Sequence, residues 1–246
     1  MKLTRLMTAG LMLMLGATSA LAQTADEIVE KHLAAIGGRD AIGRIRTRVS
    51  TGTVSVTTPL GELSGTVESF AKAPNKSRTL VKIDLTAFGA GQLINDQRFD
   101  GNSAYVIDSL NGNRDITGTQ LDAMKNNGFP TALLDYRARG HALALVGKEP
   151  AAGKPAFVLE ITPKTGPRAR AWIDVESYMV VKTSVRIDAP SVGEVEQITE
   201  FNDYRTVDGV SVAYSVKSSN PMQTVTATLT DVRHNVEVDD TSFVKP

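Results

Sequence analysis

From Thr47 onward the sequence runs in a two-residue period cut into short stretches by turn residues, and this pattern confines the chain to an antiparallel β architecture. Gly52, Val54 and Val56 alternate with Thr53, Ser55 and Thr57, and Val81, Ile83 and Leu85 alternate with Leu80, Lys82 and Asp84. Successive strand side chains point to opposite faces, so each such run offers one face to a core. The clearest run, Tyr178 to Asp188, sets Met179, Val181, Val185 and Ile187 against Lys182, Ser184, Arg186 and Asp188. Hairpin-length breaks separate the runs, among them Ala73-Pro74-Asn75-Lys76, Asp100-Gly101-Asn102, Asn111-Gly112-Asn113 and Asp208-Gly209. Further runs cover Ala104–Leu110, Ala142–Lys148, Pro155–Thr162, Arg168–Val175, Gly193–Tyr204, Val210–Ser218 and Met222–His234. About ten to twelve strands at roughly ten-residue spacing predict one large curved sheet or barrel. The threonines of Thr224–Thr230 suit a strand and are expected to meet solvent.

Two segments break the period. Thr24 to Ile36 predicts a helix: Thr24 and Glu27 form a capping box, Ile28, Val29, Leu33 and Ile36 make an apolar stripe, and Gly37-Gly38 stops it. His32 reads as a partly exposed residue away from that stripe, and Asp40–Ile45 as a short second helix. Thr117 to Gly140 predicts a helical insert split in two at Gly128 and Pro130, with Leu121, Met124, Phe129, Leu133, Leu134 and Tyr136 as its apolar residues. It reads either as a cover packed on the sheet or as a mobile lid over a cavity.

The first 22 residues read as a leader peptide. Lys2 and Arg5 form a basic start, Leu6–Leu15 an apolar core, and Ala20-Leu21-Ala22 a cleavage site that leaves Gln23 first. Residues 23–246 are expected to form a single domain. No later stretch reaches the ~18 apolar residues of a membrane helix. Lys2 and Arg5 leave with the leader, so the remaining chain carries 25 basic and 27 acidic residues, a net of −2. That balance argues against a nucleic-acid binder, which needs a basic surplus. The chain has no cysteine, which excludes disulfides, thiolate chemistry and a lipidated N-terminal cysteine.

Motifs for catalysis are missing from the sequence: no H-E-x-x-H, no G-x-S-x-G, no phosphate loop and no dinucleotide fingerprint. Asn111, Asn113, Asp115 and Asp122 mimic a calcium loop, but Ile116 stands where glycine is needed, so they read as a hairpin turn. The acid pairs Glu194/Glu196 and Asp239/Asp240 and the histidines His141 and His234 read as ordinary surface or strand-edge residues. The basic cluster Arg39, Arg44, Arg46 and Arg48 reads as a solvated face or a contact for anionic headgroups. No catalytic residue, metal or cofactor is assigned, and the chain is not expected to be an enzyme.

Several ordered landmarks resemble the LolA-like superfamily of periplasmic outer-membrane lipoprotein-sorting and carrier proteins. They are Ala25–Val29 through Leu33–Gly38, Phe99-Asp100-Gly101-Asn102-Ser103-Ala104-Tyr105, Trp172–Val175 with Tyr178–Lys182, Tyr204–Val210, and the ending Asn235–Pro246. The Gly-Gly segment resembles a broader branch of that superfamily, and the 224 residues after the leader exceed the length expected of the dedicated carrier. It implies a mainly β, α+β fold: an unclosed antiparallel barrel covered by the N-terminal helix and by the insert as lid, with a hydrophobic cavity for acyl chains. The expected wall residues are Val54, Val81, Ile83, Met179, Val181 and Val185, and the expected lid residues Leu121, Met124, Phe129 and Leu133. Binding would rest on desolvation, roughly 0.8 kcal/mol for each buried CH2. The expected partners are lipid or lipoprotein acyl chains and envelope donor and acceptor proteins, met by a periplasmic monomer without stable membrane insertion. The alternative is a non-catalytic envelope interaction module with a fully packed core.

Overall fold

The computed structural model describes residues 23–59, 61–86, 89–189 and 193–246. The leader and its cleavage site lie outside the described residues, as does Leu60 of the turn after Thr58. Among the described residues no helix is long and apolar enough to cross a membrane.

Helix α1 (Ala25–Ala35) starts at the Thr24 capping box: the Glu27 backbone N–H donates to Thr24 Oγ1 at 3.2 Å and the Thr24 N–H donates to Glu27 Oε2 at 2.9 Å. It ends as the glycine pair requires. The Gly38 N–H bonds to the Leu33 carbonyl and the Gly37 N–H to that of Ala34, with both glycines at positive φ. Gly37 is required twice over, because a Cβ there would sit 2.2 Å from the Gly209 carbonyl oxygen. That contact seats the end of α1 on the Asp208-Gly209 turn. Helix α2 (Arg39–Arg44) follows at once and buries Ile42.

The strands are β1 (Thr47–Thr58), β2 (Gly61–Lys72), β3 (Lys76–Asp84), β4 (Gln92–Phe99), β5 (Ala104–Asp108) and β6 (Arg114–Ile116), then helix α3 (Gly118–Asn126), then β7 (Ala142–Ala151), β8 (Lys154–Thr162), β9 (Ala169–Asp174), β10 (Val180–Ala189), β11 (Gly193–Val207), β12 (Val210–Ser219) and β13 (Thr224–His234). They form one antiparallel sheet in the order β6-β5-β4-β3-β2-β1-β13-β12-β11-β10-β9-β8-β7. Among the described residues the edges β6 and β7 do not pair, so the barrel is unclosed. Two meanders therefore meet at β1 and β13, where Val54 faces Ala227.

Several strand irregularities bend the sheet. Thr230 is an extra residue of β13 opposite Thr51/Gly52, Val146 of β7 opposite β8, and Val181 of β10 opposite β9. Glycine allows the tightest approaches: a Cβ on Gly52 would lie 2.2 Å from the Thr228 oxygen, and one on Gly65 2.0 Å from the Lys82 oxygen.

Helices cover one face of the sheet. Ile28, Leu33 and Ile42 pack with Phe157, Leu159 and Ile173 of β8 and β9, and Leu133 and Tyr136 of the insert join them. Each fully buried side chain of this kind contributes about 1.5–3 kcal/mol. Farther along the same face Leu121 and Met124 of α3 lie on Phe99, Ala104, Val106 and Ile116. On the opposite face the C-terminal tail packs Val238 and Phe243 against Val49 and Phe70. Beside it the buried Asp96 accepts paired hydrogen bonds from Arg78 and Arg98. A smaller outer cluster surrounds Trp172.

Three expectations are corrected. The second half of the insert is a chain of turns, not a helix. Asp135 takes φ 53°, a left-handed residue that cuts the ladder between the Thr131–Leu134 and Asp135–Arg139 bonds. His32 is buried, not part-exposed, and its Nδ1–H donates to the Tyr178 carbonyl at 2.8 Å. It lies four residues from both Ile28 and Ile36, which places it on the stripe itself. The basic cluster is not one solvated face: Arg39 pairs with Glu30 and Asp135, whereas Arg48 points to the helix-covered side.

Candidate ligand-binding site

Strand register defines the helix-covered face row by row. Val54, Gly65, Ile83 and Leu93 form one row across β1 to β4, and Gly52, Val67, Val81, Asn95 and Asp108 the next. The expected wall residues Val54, Val81 and Ile83 thus share this face. Val185 joins it through Ala169 and Ile161, the latter packed against the α1 core. Met179, Phe129 and Leu133 belong to the α1 core, and Leu121 and Met124 to the α3 cluster. Val181, the bulged residue, packs instead beside Trp172 on the other face. The structure brings the remaining nine onto one face, but only five of them join the two helix-packed clusters, and those five are split between them.

Between these clusters the face is polar. Ser50, Ser69, Thr79 and Gln97 occupy one row of β1 to β4. Across the seam, Gln197 Nε2 donates to Ser218 Oγ at 2.8 Å, and Thr199 Oγ1 lies 3.2 Å from the same hydroxyl. The interior is therefore an apolar surface with polar bands, not the uniformly aliphatic lining that sparse aromatics suggest.

The insert spans the open side of the barrel. At one end Thr119 Oγ1 accepts from the Asp188 N–H at 2.8 Å and donates to the Asp188 carboxylate at 3.1 Å, tying α3 to β10. Asn126 donates to the Thr165 carbonyl at 3.0 Å, and the Phe129 N–H donates to the Pro74 carbonyl at 2.8 Å. Farther along, Tyr136 and Arg137 both donate to the Asp26 carboxylate of α1. Gln97 donates to the Met124 sulfur at 3.3 Å, and Arg39 pairs with Asp135, so the insert is tied along its length.

Where α1, the insert and edge strand β7 meet, a cleft of about 490 Å³ opens. Its lining includes Ala25, Leu143 and Leu145, with Asp26 and Arg137 as charged residues. The volume falls in the range of small-molecule sites. His141 lines the cleft, and among the described residues neither of its ring nitrogens has a hydrogen-bond partner. Burial, reinforced by the Arg139 charge, holds His141 below the ordinary histidine pKa.

Sequence reasoning missed Arg48 as an interior residue. Its register partners are His234 on β13 and Ala71 on β2, and its guanidinium lies 5.4 Å from the Phe129 ring centroid. Among the described residues no carboxylate or carbonyl pairs with it, and burial alone lowers its pKa. It is half-buried and lies on the helix-covered face of the sheet. The His234 side chain beside it is 2% exposed, and its Nδ1 lies 3.4 Å from the Asp208 carboxylate without hydrogen-bond alignment. Burial and then the Arg48 charge lower His234, against the pull of Asp208. The signal for Arg48 was available: it stands six residues before Val54 in an unbroken two-residue period.

Three residues of the false calcium loop, Asn111, Asn113 and Asp115, are spent on structural contacts. Asp108 accepts from the backbone N–H groups of Leu110 and Asn111, Asn113 accepts from the Asp108 N–H, and Asp115 pairs with Lys245. Among the described residues no group of three acidic or histidine side chains is placed to hold a metal ion.

An open antiparallel half-barrel, with one face covered by an N-terminal helix and a strapped insert, defines the class of this protein. The fold is LolA-like. It is similar to a DUF1329 family protein from Desulfovibrio piger (TM-score 0.56, 14% identity, 89% of this chain and 96% of that one). It is similar also to a LolA superfamily protein from Nitrosomonas europaea (TM-score 0.55, 15% identity, 91% and 99%). A domain from Vibrio parahaemolyticus named for outer membrane lipoprotein sorting matches at TM-score 0.55 and 14% identity, over 88% of this chain and 94% of that one. No protein-family model matches the sequence, and no curated protein matches it.

Proposed function

We propose that this protein is a non-catalytic periplasmic carrier or chaperone that holds acyl chains of lipids or lipoproteins between its sheet and its helical cover. The observation that carries the reading is the unclosed, LolA-like half-barrel with apolar clusters on its helix-covered face. Such a face binds flexible chains by area removed from water, which tolerates varied ligands. The wall is built on Val54, Val81, Ile83, Met179 and Val185, and the cover on Leu121, Met124, Phe129 and Leu133. The leader peptide would deliver the chain to the periplasm, and the insert would open to admit the ligand. Envelope proteins would then serve as donor and acceptor.

The test is native mass spectrometry of protein purified from cells without detergent, followed by titration with a fluorescent fatty acid and a triacylated lipopeptide. Co-purified lipid mass and saturable binding are expected. A ligand-free protein with no affinity for either probe refutes the carrier. A second reading, an envelope interaction module with a packed core, draws on the near-complete burial of Phe99 at 1%, Val54 at 2% and Val106 at 2%. It predicts that saturating probe leaves the thermal midpoint unchanged, whereas a carrier gains stability with ligand concentration.

A further inference from the structure

We propose that Arg48 is the floor of an interior anion site, and that the ligand it takes is an amphiphile with an anionic head and an apolar tail. The proposal deepens the carrier reading and rests on it. A guanidinium stays charged in a protein, and a buried charge without a partner is costly. Natural interiors pair such groups, so one left without a counter-charge among the described residues on the covered face marks a place for a counter-charge supplied from outside. Phe129 of the insert lies over the cation and His234 beside it, and the Asp208 carboxylate sits against His234 and is 63% exposed on its side chain.

The neighbouring register positions fit an anion. Ala71 stands next to Arg48 across β2 and sets no long side chain beside the guanidinium from that strand. Ser77 follows in the same row, and Ser50 and Ser69 in the adjoining one, so hydroxyl donors flank the charge. Beyond them both directions turn apolar, toward Phe99 and Val106 on one side and Val232 and Tyr214 on the other. A head held at Arg48 would lay its chain along one of these surfaces. Carboxylate and phosphate heads share the required chemistry.

The test is displacement of a solvatochromic probe by three amphiphiles of one chain length: a carboxylate, an alkyl phosphate and a neutral monoacylglycerol. Wild type is expected to prefer the anions over the neutral compound by about tenfold or more, the size of one charge-assisted hydrogen bond. The ratio of carboxylate to phosphate affinity identifies the head. Arg48→Gln should abolish that preference and leave the neutral ligand bound as before. Arg48→Lys should keep part of it. Melting curves of both variants establish folding, and Arg48→Met should melt no lower than wild type because it removes an uncompensated charge. Equal binding of anionic and neutral ligands by wild type, or an undiminished anion preference in Arg48→Gln, overturns the anion site and leaves the carrier standing. Binding of none of the three overturns both.

Discussion

Gly65→Ala should be among the most damaging single-methyl changes in this protein. The added Cβ would lie 2.0 Å from the Lys82 carbonyl oxygen and 2.9 Å from the Ile83 Cα. Ordinary contact begins near 3.4 Å, so β2 and β3 would have to part by about 1.4 Å at that point. Both obstacles are backbone, and no side chain can rotate away to relieve them. Overpacking of this kind costs about 1–3 kcal/mol, and weakening the adjacent ladder hydrogen bonds adds about 1 kcal/mol. For a chain of this size about 2–4 kcal/mol lowers the thermal midpoint by roughly 5–15 °C. Gly52→Ala should behave alike, with its Cβ 2.2 Å from the Thr228 oxygen. Gly91→Ala and Gly43→Ala are the controls, since nothing lies within 4 Å of either new Cβ. The first should be neutral, and the second, inside α2, should stabilise by up to about 1 kcal/mol. Circular dichroism melts and urea titrations read all four. A Gly65→Ala protein as stable as the Gly91→Ala control would refute the claim that glycine sets the spacing of β2 and β3.

Acidification tests the buried histidines. Burial lowers the pKa of His32, His141 and His234, so the unfolded chain takes up protons near pH 6.5 while the native state resists. Stability should be level above pH 7 and fall as the pH drops below 6.5, by up to about 1.4 kcal/mol per pH unit for each histidine; urea midpoints that stay flat from pH 7.5 to 5.5 would contradict this. Ile42→Ala should cost about 2–5 kcal/mol, because the side chain is wholly buried beneath α2. An exposed-site loss below 0.5 kcal/mol, read as about that much in urea titration, would place α2 off the core. Asp96→Ala leaves Arg78 and Arg98 without their shared carboxylate and should cost about 3–5 kcal/mol. The triple exchange of all three for apolar residues should recover most of that loss, and failure to do so would mean that the carboxylate has other partners.

Local chemistry carried most of the fold into view. The capping box, the Gly37-Gly38 stop and the Asp208-Gly209 turn each act through a few adjacent residues, and each stands where the sequence puts it. The sheet was legible as a sheet because its strands alternate, though thirteen strands are present where spacing predicts ten to twelve. Bulges were not legible. An extra residue such as Val181 reverses side-chain parity without any mark in composition, which is why Val181 reads as a wall residue and lies beside Trp172. His32 and Arg48 are different cases, since the helical and strand periods both place them inward, and their polarity alone argues for solvent. The buried imidazole meets a carbonyl from a residue 146 positions away, a partner that only the folded chain reveals.

The strand order also bears on how the chain finds its structure. Each strand pairs with a neighbour in sequence except at the seam, where β1 meets β13 and Gly52 faces Leu229. The two meanders can zip through short loops, while the seam must close a loop that spans nearly the whole domain, the entropically slow step. Joining the existing ends through a linker and cutting the insert between β6 and β7 would make every pairing local. Such a permuted chain would run from β7 to β13 and, after the tail, the linker and the two helices, from β1 through β6, and it should fold faster than the natural order while keeping the same sheet.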